Sequence, residues 1–290
     1  MDTEKYKVLL TVLETGNFTR AAEELGCTQS GVSHTIQSLE DLLGFPLLHR
    51  GKKSVSLTPN GQSLLPRIRE IVQLQASIEQ AAAEITGAIS GVLRIGSLAS
   101  VSAHLLPDLM RAFFAQYPNV EIQLLDGDYQ DMEHFILNGQ VDCSFVALPC
   151  QNKLECLPLF REPMLAILPK GHPLSQYDVV PFDLLIREPF VLPGEGLNFE
   201  IGRLLGGRRL NQKYSSKDDY VAAALVRGGL GVSILPELWL REFVDQVERR
   251  PLDVEAERRL GLATLSFSRL SPVGKCFVKF LKGYFQTERQ

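Results

Sequence analysis

One stretch of the chain carries an unusual set of polar side chains on one face of a predicted helix. Residues 28–43 read TQSGVSHTIQSLEDLL, and their outward positions are Gln29, Ser30, Ser33, His34 and Gln37. These side chains are uncharged hydrogen-bond donors and acceptors, whereas an ordinary solvated helix would carry Lys and Glu there. Such groups can contact the edges of bases in the major groove. The face therefore predicts recognition of DNA sequence.

The opposite face of the same stretch is apolar, which is what positions the polar face outward. Apolar residues recur there at three- and four-residue intervals, at Val32, Ile36, Leu39 and Leu43. Thr28 can cap the first turn, and Gly44 can take the left-handed conformation that ends a helix. Residues 18–26 predict a shorter helix with a Thr cap and a Gly stop. A three-residue turn that contains Gly joins the two, as in a helix-turn-helix. The alternative is a helical hairpin of a core with a polar outer face.

A basic turn follows this pair of helices. Residues 46–58 predict two short strands around a turn that contains Arg50, Lys52 and Lys53. Such a wing can bind phosphates or enter the minor groove beside the recognition helix.

The run AAEELGCTQSGVSHTIQSLEDLLGFPLLHRGKKSVSLTPNG, residues 21–61, closely resembles the N-terminal winged helix of LysR-type transcriptional regulators. The resemblance implies an α/β protein with a winged helix-turn-helix, a long linker helix and a periplasmic-binding-protein-like effector domain of two subdomains. We expect domains at 1–58, 59–88 and 89–290, with subdomain I at about 89–147 and 267–290 and subdomain II at about 148–266. The residues expected to bind double-stranded DNA are Thr19, Arg20, Thr28, Gln29, Ser30, Ser33, His34, Gln37, Arg50, Lys52 and Lys53.

A long helix is predicted from Thr58 and Pro59 to about residue 87, because a cap followed by Pro is a typical helix start. Leu64, Ile71, Ile78 and Ile85 lie seven residues apart along it and indicate a heptad seam between two protomers. The alternative is a helix packed on its own chain. Pro66 predicts a bend. A dimer places two recognition helices about a twofold axis, so the expected site is an inverted repeat. A homotetramer is implied by the family resemblance alone.

From Gly91 strands alternate with helices, which predicts a parallel sheet. The predicted elements are strands at 91–96, 120–125, 141–146, 159–168, 190–192, 231–235 and 261–267, and helices at 103–117, 131–138 and 272–287. The family resemblance continues here at residues 105–107, Phe113, 117–118, Gly139, 141–142 and 228–236. It implies a cleft between two subdomains that two crossing strands join.

Ligands of such sheets bind beyond the carboxyl ends of strands, at the N-termini of helices. Residues 97–102 follow the first strand, and residues 193–198 follow a strand of the second subdomain. With the family resemblance, this predicts effector contacts from Ser97, Ser100, Val101, Ser102, Asp128, Gly194 and Asn198. Each serine could instead be a plain helix cap. The hydroxyls favour a small organic acid, while Asp126, Asp128 and Glu195 could instead recognise an amine.

The composition is that of a globular protein, with 45% hydrophobic and 22% charged residues over 290 residues. The net charge of −4 does not indicate a nucleic-acid binder, and residues 1–60 contain six Lys/Arg against seven Asp/Glu. Affinity for DNA must therefore come from local placement of cations. No apolar run is long enough to span a bilayer and the N-terminus is no signal peptide, so a cytoplasmic protein is expected. Five scattered cysteines suggest neither a disulfide framework nor a zinc site, although Cys150 and Cys156 could form a redox pair.

Motifs for catalysis are missing from the sequence: it has no G-x-S-x-G, H-E-x-x-H or Walker A pattern. We therefore predict no enzymatic activity, no cofactor and no metal. Two other function classes remain. A small-molecule receptor without DNA binding would carry a charge-studded face on residues 28–43, and a DNA-binding protein without an effector would fill the cleft with large apolar side chains. The sequence favours a ligand-responsive transcription regulator over both.

Overall fold

Three helices at the N-terminus pack their apolar faces together in the computed structural model. They are Thr3–Thr15 (α1), Phe18–Glu24 (α2) and Gln29–Leu43 (α3). The structure describes residues 3–50, 55–85, 89–150, 154–193, 199–216, 218–241 and 245–287. Leu9, Ala21 and Ile36 are fully buried where the three helices meet. The predicted helix-turn-helix is confirmed, and the small side chains of α2 let α3 approach closely.

Of the two N-terminal helix caps predicted from the sequence, the cap of α3 is confirmed and the cap of α2 is wrong. The Thr28 hydroxyl accepts a hydrogen bond from Gly31 N, and Gly44 ends α3 at a φ of 81°. Helix α2, however, is capped by Asn17, whose side-chain Oδ1 accepts from Thr19 N and Arg20 N. The predicted Thr cap is wrong because Asn17 precedes the first helical residue, whereas Thr19 already lies within the first turn.

The wing consists of two antiparallel strands, Leu48–Arg50 (β1) and Val55–Leu57 (β2). Its turn, with Lys52 and Lys53, lies outside the described residues.

A 27-residue helix, Pro59–Ile85 (α4), leaves the winged domain and confirms the predicted linker. It is about 40 Å long at 1.5 Å per residue. Ile68 is buried in the N-terminal core, and Leu64 and Ile71 pack against that core. The first half of the predicted seam is therefore packed on its own chain, which corrects the interpretation of the whole helix as a dimer seam. Farther along, Leu74 and Ile78 are exposed.

The remainder of the chain is a mixed α/β domain. Its strands are Gly91–Leu98 (β3), Val120–Gly127 (β4), Cys143–Ala147 (β5), Glu155–Leu168 (β6), Phe190–Pro193 (β7), Gln212–Ser216 (β8), Ser233–Pro236 (β9), Glu248–Arg250 (β10) and Glu257–Thr264 (β11). Its α-helices are Ala99–His104 (α5), Leu106–Gln116 (α6), Tyr129–Leu137 (α7), Phe182–Leu185 (α8), Phe199–Leu205 (α9), Asp219–Arg227 (α10) and Pro272–Thr287 (α11). Short 3-10 helices are Pro173–Gln176, Glu237–Arg241 and Phe267–Arg269.

The main sheet has the order β10-β6-β11-β5-β3-β4, and β9 pairs with β6. Strands β3, β4 and β5 run parallel, as the alternation of strands and helices predicts. Strands β6 and β11 run antiparallel to each other and form the crossing pair between two cores. Leu159 of β6 belongs to the first core, together with β3, β5 and α11, while Met164 and Leu168 of the same strand belong to the second, together with α8, β7 and α9. We call the elements around these cores subdomain I and subdomain II.

Two differences from the predicted elements affect the cleft. Residues 97–102 do not form a loop: β3 ends at Leu98, and α5 begins directly at Ala99. The helix predicted at 103–117 is two helices, because Pro107 fixes a new first turn at the start of α6. Strand β8 and helix α10 of subdomain II were not predicted from the sequence. Both follow the segment 194–198, which lies outside the described residues.

Candidate functional site

The outward face of α3 presents the predicted DNA-binding residues together. Gln29, Ser30, His34 and Gln37 are exposed, and Ser33 is half-buried beside them. The inward positions Val32, Ile36 and Leu39 are buried, so the orientation of the polar face is set by the core. Thr19 and Arg20 are exposed on the first turn of α2.

Some of these side chains already have neighbours within the helix. The Thr28 and Ser30 hydroxyl oxygens lie 3.1 Å apart, and Gln37 Nε2 donates to Asp41 Oδ1 at 2.9 Å. The hydrogen bond of Gln37 joins residues four apart on a helix surface, a spacing that stabilises an isolated helix only weakly. Base contacts can replace it at little cost. The side chain of Arg50 is outside the described part of the chain, although its backbone belongs to β1.

Two residues outside the predicted DNA-binding set connect α3 to the wing. Glu40 is buried, and its Oε1 accepts hydrogen bonds from Leu47 N at 2.7 Å and Leu48 N at 3.1 Å. The Thr58 hydroxyl donates to Pro46 O at 2.8 Å and accepts from Gly61 N at 3.0 Å. Glu40 therefore positions the strand β1 relative to the recognition helix. The signal in the sequence is that Glu40 directly follows the apolar Leu39 and still lies on the buried side of the helix. The first exposed position is expected one residue later, at Asp41.

The predicted effector residues separate into two groups. Ser97 and Val101 are fully buried, with Val101 in the core of subdomain I and the Ser97 hydroxyl 3.3 Å from Leu98 O. Their side chains face inward because β3 runs straight into α5, and effector contacts from these two residues stay a prediction. Ser102 lies closer to solvent and donates to Asp126 Oδ1 at 2.6 Å.

Asp128 has the structural role of a helix cap. Its carboxylate accepts from Gln130 N and Asp131 N at the start of α7, and Asp131 Oδ2 accepts from Asp128 N, which completes a capping box. Gly194 and Asn198 lie outside the described residues.

A buried arginine that was not predicted from the sequence holds the two subdomains together in the cleft. Arg258 of β11 is 1% exposed. Its Nη2 donates to Ser100 Oγ at 3.0 Å and its Nη1 to Tyr129 Oη at 3.0 Å, both in subdomain I. Its Nε donates to Glu162 Oε1 of β6 at 2.7 Å, and Nη2 contacts the same oxygen. The Ser100 hydroxyl, predicted to meet an effector, thus already contacts a cation of the protein.

Two carboxylates of subdomain II lie near this arginine. Glu200 of α9 is buried, and Asp219 of α10 is partly buried. Burial raises the pKa of Asp219 to about 6, although Arg258 and a hydrogen bond from the Trp239 side chain favour its ionised form. Burial also raises the pKa of Glu200, against the attraction of Arg258 and Arg203. The cleft therefore contains more acidic groups than basic ones.

The phenol of Tyr129 completes this set. Burial raises its pKa, although the adjacent guanidinium of Arg258 favours the phenolate. At neutral pH the phenol is un-ionised, and it accepts a hydrogen bond from Arg258 without contributing a charge. Glu162, Glu200 and Asp219 are thus the acidic groups that face Arg258.

The predicted redox pair lies near the start of β6. Cys150 and Cys156 interact through a side-chain hydrogen bond, and both are free thiols. Burial, together with that hydrogen bond, raises the pKa of Cys150 to about 12. At neutral pH Cys150 is a thiol and not the thiolate that attacks oxidants. The redox role stays a prediction.

Among the described residues, no group of three or more His, Cys, Asp or Glu side chains is arranged to hold a metal ion. In the same part of the chain, no helix is both long and apolar enough to cross a bilayer.

Comparison with known proteins identifies the two parts of the chain. Residues 3–62 match the model of the bacterial regulatory helix-turn-helix protein of the lysR family, and residues 86–286 match the LysR substrate binding domain. The chain belongs to the LysR family of transcriptional regulators. It is a DNA-binding regulator with an effector-binding domain, and the resemblance seen in the sequence is confirmed.

Relatives of this LysR-family chain match it over nearly its whole length. The probable HTH-type transcriptional regulator LrrA of Synechococcus elongatus is 30% identical over 286 residues, which cover 97% of each chain. The uncharacterised regulator YvbU of Bacillus subtilis is 28% identical over 293 residues, 99% of this chain and 100% of YvbU.

Solved structures share the fold. A full-length OxyR variant from Pseudomonas aeruginosa superposes with a TM-score of 0.80 at 22% identity, covering 97% of this chain and 95% of that one. Full-length CbnR in complex with its target DNA gives a TM-score of 0.70 at 20% identity, covering 97% and 99%.

Proposed function

We propose that the chain binds an inverted-repeat operator through the α3 helices of two protomers, and that the wing contacts the flanking phosphates. The observation that carries this proposal is the outward face of α3. Gln29, Ser30, His34 and Gln37 are exposed there without a lysine or arginine among them, while the opposite face is buried. Amide and hydroxyl groups at the start of a recognition helix are suited to base edges.

The proposed dimer forms through the second half of α4. Leu74 and Ile78 are 59% and 65% exposed, one turn apart on one side of the helix. Their burial against a second copy would remove this apolar surface from water. For a homotetramer, support comes from subdomain I, where Phe114 of α6 and Leu124 of the edge strand β4 are also exposed.

A small-molecule effector in the cleft would act by changing the angle between the subdomains. Strands β6 and β11 join the two cores, so closure bends this pair. The linker helix contacts subdomain I directly, since Arg69 Nη1 donates to Asn138 O at 2.9 Å and Gln73 Nε2 to Gly139 O at 3.0 Å. An effector that binds one closure state more tightly shifts the population of that state. The shift would alter the spacing of winged helices on DNA.

The contacts of the cleft do not favour a small organic acid, the effector that the sequence predicts. Ser100, the hydroxyl that favoured an anion, already contacts Arg258, and Arg258 is paired with Glu162. The other charged groups near Arg258 include the carboxylates of Glu200 and Asp219. No catalytic step is proposed, because the polar groups of the cleft have roles in binding and in joining subdomains. A regulator of chromosomal genes acts in the cytoplasm, and we propose that location.

The experiment that tests DNA recognition is capture of genomic fragments by the purified full-length protein across a salt series. The expected result for the wild type is enrichment of a short inverted repeat. In Gln29→Ala, the free-energy preference for one base at one position of each half-site should fall by about 1–3 kcal/mol. Gln116→Ala is the matched control, because Gln116 is an exposed glutamine on α6. Sequence-blind binding, or the same relaxation in both variants, would contradict the proposal.

A further inference from the structure

Glu200 is a buried carboxylate that receives no hydrogen bond from the other described residues. It is 4% exposed, and neither Oε1 nor Oε2 accepts a hydrogen bond from another residue in the described part of the chain. An ionised carboxylate in such a place costs several kcal/mol unless a cation or hydrogen-bond donors satisfy it, on the order of the penalty for other buried charges. An unsatisfied acceptor of this kind between two subdomains indicates that its donor comes from outside the described residues.

The described groups around Glu200 do not supply that donor. Glu200 interacts electrostatically with Arg258 and with Glu162, so its carboxylate lies near the same cluster. The guanidinium of Arg258, however, is committed to Glu162, Ser100 and Tyr129. Arg203 attracts Glu200 but is exposed, and its Nη2 contacts Glu257 O at 3.4 Å. Among the described residues, Glu200 is therefore left without a bonded cation.

Asp219 adds a second acidic group on the same side of the cleft. It interacts electrostatically with both Glu200 and Arg258. Three carboxylates, those of Glu162, Glu200 and Asp219, therefore share one buried guanidinium, which leaves an excess of two negative charges when all are ionised. Such a cluster attracts a cation and repels an anion.

The aromatic side chains nearby suit an organic cation. Trp239 is nearly buried and donates a hydrogen bond to Asp219, with His104 edge-on to its ring at a centroid distance of 5.9 Å. Tyr129 accepts a hydrogen bond from Arg258 Nη1. Aromatic faces bind ammonium and guanidinium groups and also cover the carbon chain attached to them.

We infer that the effector of this regulator is a small organic cation, with a primary amine or a guanidinium that binds Glu200 and Asp219. The inference rests on the proposed function, since it names the chemical class of the ligand in the same cleft. The cation supplies the donors that Glu200 lacks and offsets the excess negative charge. It thereby stabilises the packing of α9 and α10 against the crossing strands, which favours one closure state.

The test is isothermal titration calorimetry on the full-length protein with putrescine, γ-aminobutyrate and succinate. These probes have the same carbon chain length and differ in charge, and agmatine extends the series to a guanidinium. Putrescine and agmatine, the cations of the series, are expected to bind, and succinate is not. Glu200→Gln keeps the shape of the side chain and removes its charge, and should weaken binding of the cation about tenfold or more. Asp178→Asn, an exposed carboxylate of subdomain II, is the matched control and should bind as the wild type does.

Binding of succinate in preference to the amines, binding of no cation in the series, or equal affinity in Glu200→Gln would each overturn the inference. Thermal unfolding of Glu200→Gln checks that the variant is folded. Loss of an unpaired buried carboxylate should raise its melting temperature. Operator binding by the same preparations separates this inference from the proposed function. A protein that binds its inverted repeat but no cation contradicts the ligand class alone, whereas a protein that binds no specific DNA contradicts the regulator.

Discussion

Arg258 and Glu162 lie directly opposite each other on the two strands that cross between the subdomains. They are register partners in the β6–β11 ladder, and Arg258 Nε donates to Glu162 Oε1 at 2.7 Å with both side chains almost fully buried. Glu162 Oε2 also accepts from Leu238 N at 2.8 Å. A change of angle between the subdomains must therefore move this pair.

Removal of one partner of this pair should destabilise the protein strongly. Glu162→Leu leaves the Arg258 guanidinium buried without its counter-charge, so the free energy of unfolding should fall by about 3–5 kcal/mol. The double variant Glu162→Leu/Arg258→Met should lose less than the sum of the single variants, because neither charge is then left alone. Urea unfolding measures the free energy of unfolding of the wild type, of each single variant and of the double variant.

The control for this cycle is an exposed ion pair. Arg111 Nη2 lies 3.1 Å from Asp108 Oδ1 with both side chains mostly in solvent, so Asp108→Ala should change stability by about 1 kcal/mol or less. Additive losses for Glu162 and Arg258 would contradict their coupling.

Asp219 should make stability depend on pH. Its folded pKa is raised to about 6 from an ordinary value of 3.8, so the folded state binds the proton more tightly than the unfolded state. The free energy of unfolding therefore gains from this group as the pH falls through 6 towards 4, and the gain is lost as the pH rises through 6.

Asp219→Asn removes this titration. The variant should be more stable relative to the wild type at pH 7 than at pH 4, as measured by urea unfolding at both pH values. The difference in free energy of unfolding between variant and wild type reports on Asp219 alone, because all other titrating groups are common to both proteins. A difference between variant and wild type that does not change with pH would contradict the raised pKa.

Glu40 should control the position of the wing. Glu40→Ala leaves Leu47 N and Leu48 N buried without an acceptor, at a cost of about 2–4 kcal/mol for two unsatisfied donors. Operator affinity should fall for all sequences alike, because the wing contacts phosphates and not bases. Electrophoretic mobility shifts measure the affinity of the variant for matched operators and for scrambled operators. Asp41→Ala, at the exposed neighbouring position, should leave stability within about 1 kcal/mol. Loss of base preference in Glu40→Ala would contradict a role through the wing.

The parts of this molecule that the sequence predicted are those with a local pattern. Helix α3 has a cap, an apolar period and a stop within seventeen residues, from Thr28 to Gly44, and each is confirmed. The Arg258–Glu162 pair could not be predicted in this way, because 96 residues separate its members and only the register of β6 and β11 brings them together. Glu200 reads in the sequence as an ordinary first-turn helix acid. Its burial depends on packing between distant segments.

The exposed pair on the linker helix should determine assembly. Leu74 and Ile78 are 59% and 65% exposed on α4, beyond the turns that pack against the N-terminal core. Leu74→Lys/Ile78→Lys places two like charges at the proposed seam, where their burial is costly. Sedimentation equilibrium should show the mass of the assembly reduced at least to half.

Operator binding is the second readout of this variant. Because two recognition helices are no longer joined, binding to the inverted repeat should fall to that of a single half-site. Gln62→Lys is the matched control, since Gln62 is an exposed polar position of α4, and it should keep the mass of the wild type. An unchanged mass in the double variant would place the dimer contact elsewhere. In that case the exposed Phe114 and Leu124 of subdomain I would be the surface that joins the protomers.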